Sequence, residues 1–378
     1  MCKRCIRILA ACRLRSLNDL ALKAVMPWFH GTMISWDHAK ERGGITSQNS
    51  NRSSGLTHIA GILPTIEQQL LPLTPIKQRL ADGAGEIAES EPESILYQHT
   101  VLCQTGMPYR NPGERVRVWD RTQGLAHLRI EAGSALHPES QRFVDIGLPF
   151  GPKPRIILAF LNAEALRTQS PLIEVEGTLT SFVTRIGLNN GGRNILVVKD
   201  QLARLAAARI MLGMVTGPHR AATMTMPIVQ AFDLWFPKNE NQRVLWPSTV
   251  RLSEEYFKTL CAHAVPLDDR AIANLSNSAM GLDIYMWLAQ RLHRVAPTKP
   301  QFIPWTAIKE QFGWNYGKMF KFKEVFRDTL RSVKTQYPTG RFTIDGKGMT
   351  LFNSPPPVAK RVHLVSHAPA PDTSRRPL

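Results

Sequence analysis

QFIPWTAIKEQFGWNYGKMFKFKEVFRDTLRSVKTQYPTGRFTIDGKGMTLFN, residues 301–353, is the stretch whose reading decides the fold. Between Lys318 and Tyr337 the apolar residues Phe322, Val325, Phe326, Leu330, Val333 and Tyr337 recur at helical spacing. At about 100° per residue they make one stripe along a helix. Lys323, Arg327, Arg331 and Lys334 fall within about a quarter turn of one another beside that stripe. Pro338 ends the helix and Gly340 follows it. Upstream, Trp305–Phe312 reads as a short helix closed by Gly313. Downstream, Arg341–Ile344 and Met349–Phe352 are strand-like runs around Asp345-Gly346-Lys347-Gly348, a hairpin signal. Helix, turn, cationic helix and basic hairpin is the plan of a winged helix-turn-helix. There one helix enters the major groove of DNA and the hairpin touches the backbone beside it.

A charge run on an amphipathic helix is ordinarily a solvated face. Here the basic hairpin and the charge of the whole chain weigh towards nucleic acid. The chain has 378 residues and a formal net charge of +17, which asks for a polyanionic partner: nucleic acid first, an anionic membrane surface second. The length suggests roughly two or three domains with ample core. No apolar run approaches the roughly 20 residues needed to cross a bilayer. Ile6–Leu14 is interrupted by Arg7 and Arg13 and is followed by no cleavage site. A soluble, cytoplasmic protein is expected, with no membrane partner. Five cysteines make no disulfide framework. Cys2, Cys5 and Cys12 have no paired Cys/His set at zinc spacing, so no metal and no cofactor are expected.

Working outward, residues 1–94 mix short apolar pieces with polar runs at 46–55, 81–86 and 89–94 and are expected to be poorly structured. Weak helix is expected around Leu17–Val25 and Pro64–Leu80, and Met26 and Met33 are alternative start positions. Residues 95–150 carry β-rich runs, YQHTVLCQ, RVRVW and LAHLRIEA, which suggest a small antiparallel sheet. Helices are expected from Pro154 to Thr168, Thr178 to Leu188 and Asn194 to Arg209, then strands at Ile210–Val215 and Pro227–Phe236. That order predicts a first winged unit over 151–250, its third helix flanked by Arg193 and carrying Lys199. Asn189–Asn194 reads as a plain turn rather than an anion-cradling loop. Ser253 is a candidate N-cap, with Glu254 and Glu255 in the first turn. Helices follow at Ser253–Ala262, Asp268–Leu275 and Leu282–Val295, the last opening a second winged unit over 251–357. Residues 358–378 form a Pro-rich tail expected to be disordered. The predicted fold is α+β and mainly helical: two winged helix-turn-helix units behind a small β-rich segment.

Motifs of enzymes are missing. Between Gly340 and Gly346-Lys347 lie five residues, where a P-loop has four, and Gly348 follows the lysine. None of the eleven histidines forms the His-apolar-His pair of a nicking enzyme. Asp268-Asp269 is the one adjacent aspartate pair and sits where a helix begins, so it suits a cap better than two metal ions. There is no Gly-x-Ser-x-Gly. A non-enzymatic DNA-binding protein is expected. Arg327 and Arg331 are the candidate guanine readers. Lys321, Arg341 and Lys347 are candidate phosphate contacts, and Lys318, Lys323, Lys334, Arg193 and Lys199 complete the candidate DNA-binding set.

Residues 147–171, GLPFGPKPRIILAFLNAEALRTQSP, resemble the plasmid-encoded RepA family of replication initiators. So do 191–210, 231–253, 263–294 and 302–313. The resemblance covers about residues 95–357. It implies an initiator that binds repeated sites (iterons) in the double-stranded DNA of a plasmid origin and helps to open the duplex. The host replication initiator and the replicative helicase are then recruited. Relatives are built from two winged-helix units and often repress their own promoter as dimers, so a homodimer is a further partner the resemblance implies. The alternative is a sequence-specific transcriptional repressor without a replication role.

Overall fold

The computed structural model describes residues 74–137, 140–174, 179–217, 220–226, 228–231 and 249–359. The chain divides into two units, Met1–Thr74 with Thr216–Ala221, and Pro75–Val215 with Ala222–Leu378. The described elements lie in the second, apart from the strand residues within 216–221. The expected helix at Leu17–Val25, residues 64–73 of the one expected at Pro64–Leu80, the expectation of poor structure over 1–73 and that of disorder from 360 lie outside the described residues.

Residues up to 94 read as poorly structured, yet α1 spans Pro75–Glu89. Its Leu80 and Ile87 pack on the core. The run ADGAGE has loop composition, but its Gly83 is what lets the helix dock: a Cβ there would lie 1.8 Å from Asn274 Nδ2. Arg79 Nη2 donates to the Asn274 carbonyl at 3.0 Å, and Gln336 Nε2 donates to the Leu80 carbonyl at 2.8 Å.

β1 (Ile95–His99) leads directly into α2 (Thr100–Gln104), where the expectation was strand throughout. His99 makes the break. Its Nδ1 accepts from Val101 N at 3.2 Å and caps the new helix. β2 (Val118–Gln123) and β3 (Ala126–Glu131) form the expected antiparallel pair, while β4 (Ser134–His137) and β5 (Arg142–Asp145) form a separate hairpin.

The next elements are α3 (Pro152–Thr168), β6 (Leu172–Glu174), α4 (Leu179–Arg185) and α5 (Gly192–Ala207). β7 (Arg209–Gly217) and β8 (Arg220–Met226) follow, then β9 (Val229–Ala231) and β10 (Thr249–Leu252). β7 does not join the first unit's sheet as expected. It pairs with β3, Leu128 opposite Leu212 and Ile130 opposite Ile210, in a four-stranded sheet ordered β2-β3-β7-β8. These four side chains are buried, so apolar complementarity to β3 decides the partner. The first unit's own sheet is ordered β6-β10-β9, with Val250 opposite Ile173 and Arg251 opposite Ala231.

Chain order continues with α6 (Glu254–His263), β11 (Ala264–Asp268), α7 (Asp269–Asn274) and α8 (Ala279–Arg291). The Ser253 hydroxyl accepts from Tyr256 N at 3.3 Å, and Asp268 Oδ1 accepts from Arg270 N at 3.0 Å. Both are helix caps. The second unit then runs β12 (Gln301–Pro304), α9 (Trp305–Phe312), α10 (Met319–Gln336), β13 (Phe342–Ile344) and β14 (Gly348–Leu351). Its sheet is ordered β12-β14-β13, and Met349 faces both Ile303 and Ile344. With β7 and β8 set aside as members of another sheet, helix, strand, helix, helix, strand, strand, with the third strand between the other two, occurs twice in the chain.

The leading helices of the two repeated arrangements, both within Pro75–Val215 and Ala222–Leu378, are joined. Arg155 on α3 meets Asp283 on α8 through Nε–Oδ1 at 2.6 Å and Nη2–Oδ2 at 2.8 Å. Arg155 also donates to the carbonyls of Gly151 at 2.6 Å and Met107 at 2.7 Å. Burial raises the Asp283 carboxyl's pKa, and the adjacent guanidinium opposes that. With its donors occupied, the pair is satisfied where an isolated charge would be costly.

Candidate nucleic-acid interface

Phe322, Phe326, Leu330 and Val333 are buried, as the stripe on α10 requires. Trp305, at the start of α9, packs edge-on against Phe322 and Phe326 with ring centroids 6.2 and 5.8 Å apart. Its Nε1 donates to the Asp345 carbonyl at 3.0 Å, and its backbone N donates to the Lys347 carbonyl at 3.2 Å. One tryptophan thus fastens both the short helix and the hairpin turn to α10.

The Trp305 ring also carries two cations. Lys323 Nζ and Arg327 Cζ each lie 5.1 Å from its centroid. The same groups donate to the turn: Lys323 to the Gly346 carbonyl and Arg327 to the Asp345 carbonyl, both at 3.3 Å. Asp345 Oδ1 accepts from Lys347 N at 2.7 Å and Gly348 N at 2.8 Å. The Gly348 and Lys347 amides hold its carboxyl pKa below the usual value. The Lys347 side chain is left exposed at the tip. Lys323, Arg327 and Lys347 are therefore brought together where helix and hairpin meet.

The remaining candidates divide by their partners. Arg331 is paired with Asp328 one turn away, both exposed. Lys321 is paired with Glu324 at 2.9 Å. Lys334 Nζ donates to the carbonyls of Pro338 at 3.0 Å and Gly340 at 2.6 Å and lies over Phe342. It closes the C-terminal end of α10, where a cation complements the helix dipole. Arg341 is exposed over Phe352, and Lys318 precedes α10 with its ammonium 5.9 Å from the Phe320 ring. Two features escaped the sequence reading: Trp305 as a platform, and the 67% exposure of Phe320. Cations four residues apart at 323 and 327 share one helix side, which was the available signal for an aromatic partner there.

Arg193 and Lys199 lie on α5, apart from this cluster. α5 buries Val198, Gln201, Leu202 and Leu205. Arg193 is exposed, and burial lowers the pKa of the half-buried Lys199. Leu196 is 68% exposed on the outer face. Arg204 is turned inward: it pairs with Asp200 at 2.9 Å and lies over Phe150. The turn before α5 is closed by its own groups, with Asn189 Oδ1 accepting from Gly191 N at 2.7 Å and Asn194 Nδ2 donating to the Asn189 carbonyl at 3.0 Å.

A cleft elsewhere is lined by charged residues including Glu164, Arg167, Arg185 and Arg270. Glu164 is held by Arg167 at 2.6 Å and Arg185 at 3.0 Å, and Arg270 by Asp268 at 2.8 Å. Among the described residues no group of three or more His, Cys, Asp or Glu could hold a metal ion. None of their helices is long and apolar enough to cross a membrane.

A family model described as "Plasmid encoded RepA protein" matches residues 148–307. Over this segment the chain resembles the plasmid-encoded RepA proteins. The match contains all of the first unit's elements, and α8, β12 and the start of α9 from the second. α10 and the hairpin lie beyond it. No curated protein matches. Similar solved structures include two of RctB. The crystal structure of its domains 2-3 has 11% identity and a TM-score of 0.42, covering 66% of this chain and 94% of that one. A crystal structure of selenomethionine derivatives of domain 2 and domain 3 has 10% identity and a TM-score of 0.41, covering 61% and 83%. At these scores the likeness does not establish a shared fold.

Proposed function

We propose that this chain is a non-enzymatic plasmid replication initiator. It binds iterons in the double-stranded DNA of its origin, promotes local opening of the duplex and recruits the host replication initiator and replicative helicase. The observation that carries this reading is the RepA match over 148–307, because it spans the first unit and runs into the second. The twice-used arrangement of helices and strands supports reading each unit as a winged helix.

On this reading α5 and α10 enter successive major grooves about one helical turn apart, which suits a site on the order of 20 base pairs. Lys347, Lys321, Arg341, Lys318 and Lys323 neutralise phosphates and set the register. Arg327 and Arg331 turn to guanine edges. Arg331 exchanges Asp328 for the base, and Arg327 reaches its base from a position already held by Trp305 and the hairpin. The protein works in the cytoplasm and forms a homodimer when it represses its own promoter.

The test has two arms. Footprinting of the DNA flanking the gene should show protected direct repeats beside an AT-rich tract. Supplied in trans, the chain should maintain a replicon that carries those repeats but lacks an initiator. With roughly 6–10 phosphate contacts, binding should weaken by on the order of a thousandfold between 50 and 200 mM salt. Protection of the promoter alone, with no replication, would favour the repressor. No protected repeat at all would overturn DNA recognition itself.

A further inference from the structure

Phe320 stands out among the apolar side chains of α10. Phe322, Phe326, Leu330 and Val333 are 3% exposed or less, whereas Phe320 is 67% exposed. It sits in the first helical turn. Positions 320, 324, 327 and 331 follow one another at helical intervals of four, three and four residues, so they share one stripe. That stripe is Phe320, Glu324, Arg327 and Arg331, beside the buried face, with Arg327 half-buried over Trp305. The proposed base-reading arginines thus stand on the same side of the helix as an exposed aromatic ring.

The surroundings of the ring restrict what it can meet. Lys318 Nζ lies 5.9 Å from its centroid, and Lys321 is exposed beside it. The first turn of α10 contains no acidic residue, and no side chain caps its amides. That end of the helix suits a phosphate. An apolar protein partner would need a broad patch, whereas Lys318, Lys321 and Glu324, all exposed, flank the ring with charge. A small apolar group set among phosphates fits better. In the major groove only one base feature is apolar, the 5-methyl group of thymine.

We infer that Phe320 reads a thymine methyl group where α10 enters the major groove, a specificity contact that rests on the DNA-binding reading above. Its test is a uracil scan of the footprinted repeat. Each thymine is replaced singly by deoxyuridine, and the affinity of the full chain is measured by fluorescence anisotropy. One thymine should respond, with binding about fourfold weaker on loss of one buried methyl. Phe320→Ala should bind thymine and uracil repeats equally at that position, and Phe320→Leu, still apolar, should keep the difference. Indifference of the wild-type chain to every replacement, or a full penalty retained by Phe320→Ala, overturns the inference and leaves DNA binding standing. A chain that protects no repeat overturns both.

Discussion

α5 and α10 occupy the same place in two units of the same topology, and they expose different chemistry. α10 gathers cations: Lys323 and Arg327 rest on Trp305 and bond the hairpin carbonyls. α5 exposes Arg193 and Leu196, while its Arg204 is spent on Asp200 and Phe150. The difference teaches that repeating an architecture does not repeat its electrostatics. A platform residue such as Trp305 turns two flexible side chains into positioned ones, and α5 has no equivalent among its described contacts. On the proposed reading, the second unit would choose sequence and the first would contact the DNA backbone.

The most forceful way to break the comparison is to cut what joins the units. Asp283→Ala leaves the Arg155 guanidinium buried and unpaired. It should cost about 3–5 kcal/mol of folding stability, and α3 and α8 should come apart in a single unfolding transition. Denaturant curves followed by two probes, one in each unit, check this. Two separated transitions would mean that the units are stable alone.

A second test uses acidity. Burial lowers the His99 imidazole pKa to about 3, with His263 contributing in the same direction. The unfolded chain takes up that proton near pH 6.5, and the folded chain does not. Stability from this site is complete above about pH 7 and falls as pH drops from 6.5 towards 3, by about 1.4 kcal/mol per pH unit. His99→Asn keeps an acceptor for the α2 cap and should flatten that limb in urea unfolding at pH 4 to 8. β1 and α2 pack against α3 and α8, so both units should weaken together.

The smallest expected effect sharpens the contrast directly. Changing Arg193 and Lys199 to Ala should weaken binding to every duplex alike and lower the salt slope by about two, one per phosphate contact. Titrations at several salt concentrations on repeat and scrambled DNA read both quantities. A change in preference between the two duplexes would show that α5 reads bases as well.

Much of the second unit was legible because its signals are local. The stripe from Phe322 to Val333, the stop at Pro338 and the Asp345–Gly348 turn lie within one short stretch. The first unit was harder, since its sheet joins β6 to strands that follow the β7–β8 excursion. An apolar alternation shows that β7 is a strand without showing that β3 is its partner. α1 was expected only as far as Leu80, because Gly83, a loop signal by composition, permits the close approach to Asn274 that carries the helix on to Glu89. α2 was missed because five residues are too few to show a period. In the site, charge was legible and its commitments were not. Lys334 read as a DNA-facing cation and is bound to the Pro338 and Gly340 carbonyls, whereas Trp305 read as one residue of a short helix and organises the surface.

The central claim is that α10 is the helix that chooses sequence, and one measurement meets it head on. Arg327 and Arg331 are changed together to Ala, which favours helix and removes no buried group. Circular dichroism confirms the fold, and gel shifts are run on the footprinted repeat and on scrambled DNA. At about 1–3 kcal/mol for each base-contacting arginine, the pair should cost roughly 2–6 kcal/mol on the repeat. Affinity should fall towards the scrambled level, while weak general binding survives. A folded double variant that holds the repeat as tightly as the wild-type chain would contradict the account. The cations of α10 would then be a solvated face, and α5 would become the helix to test.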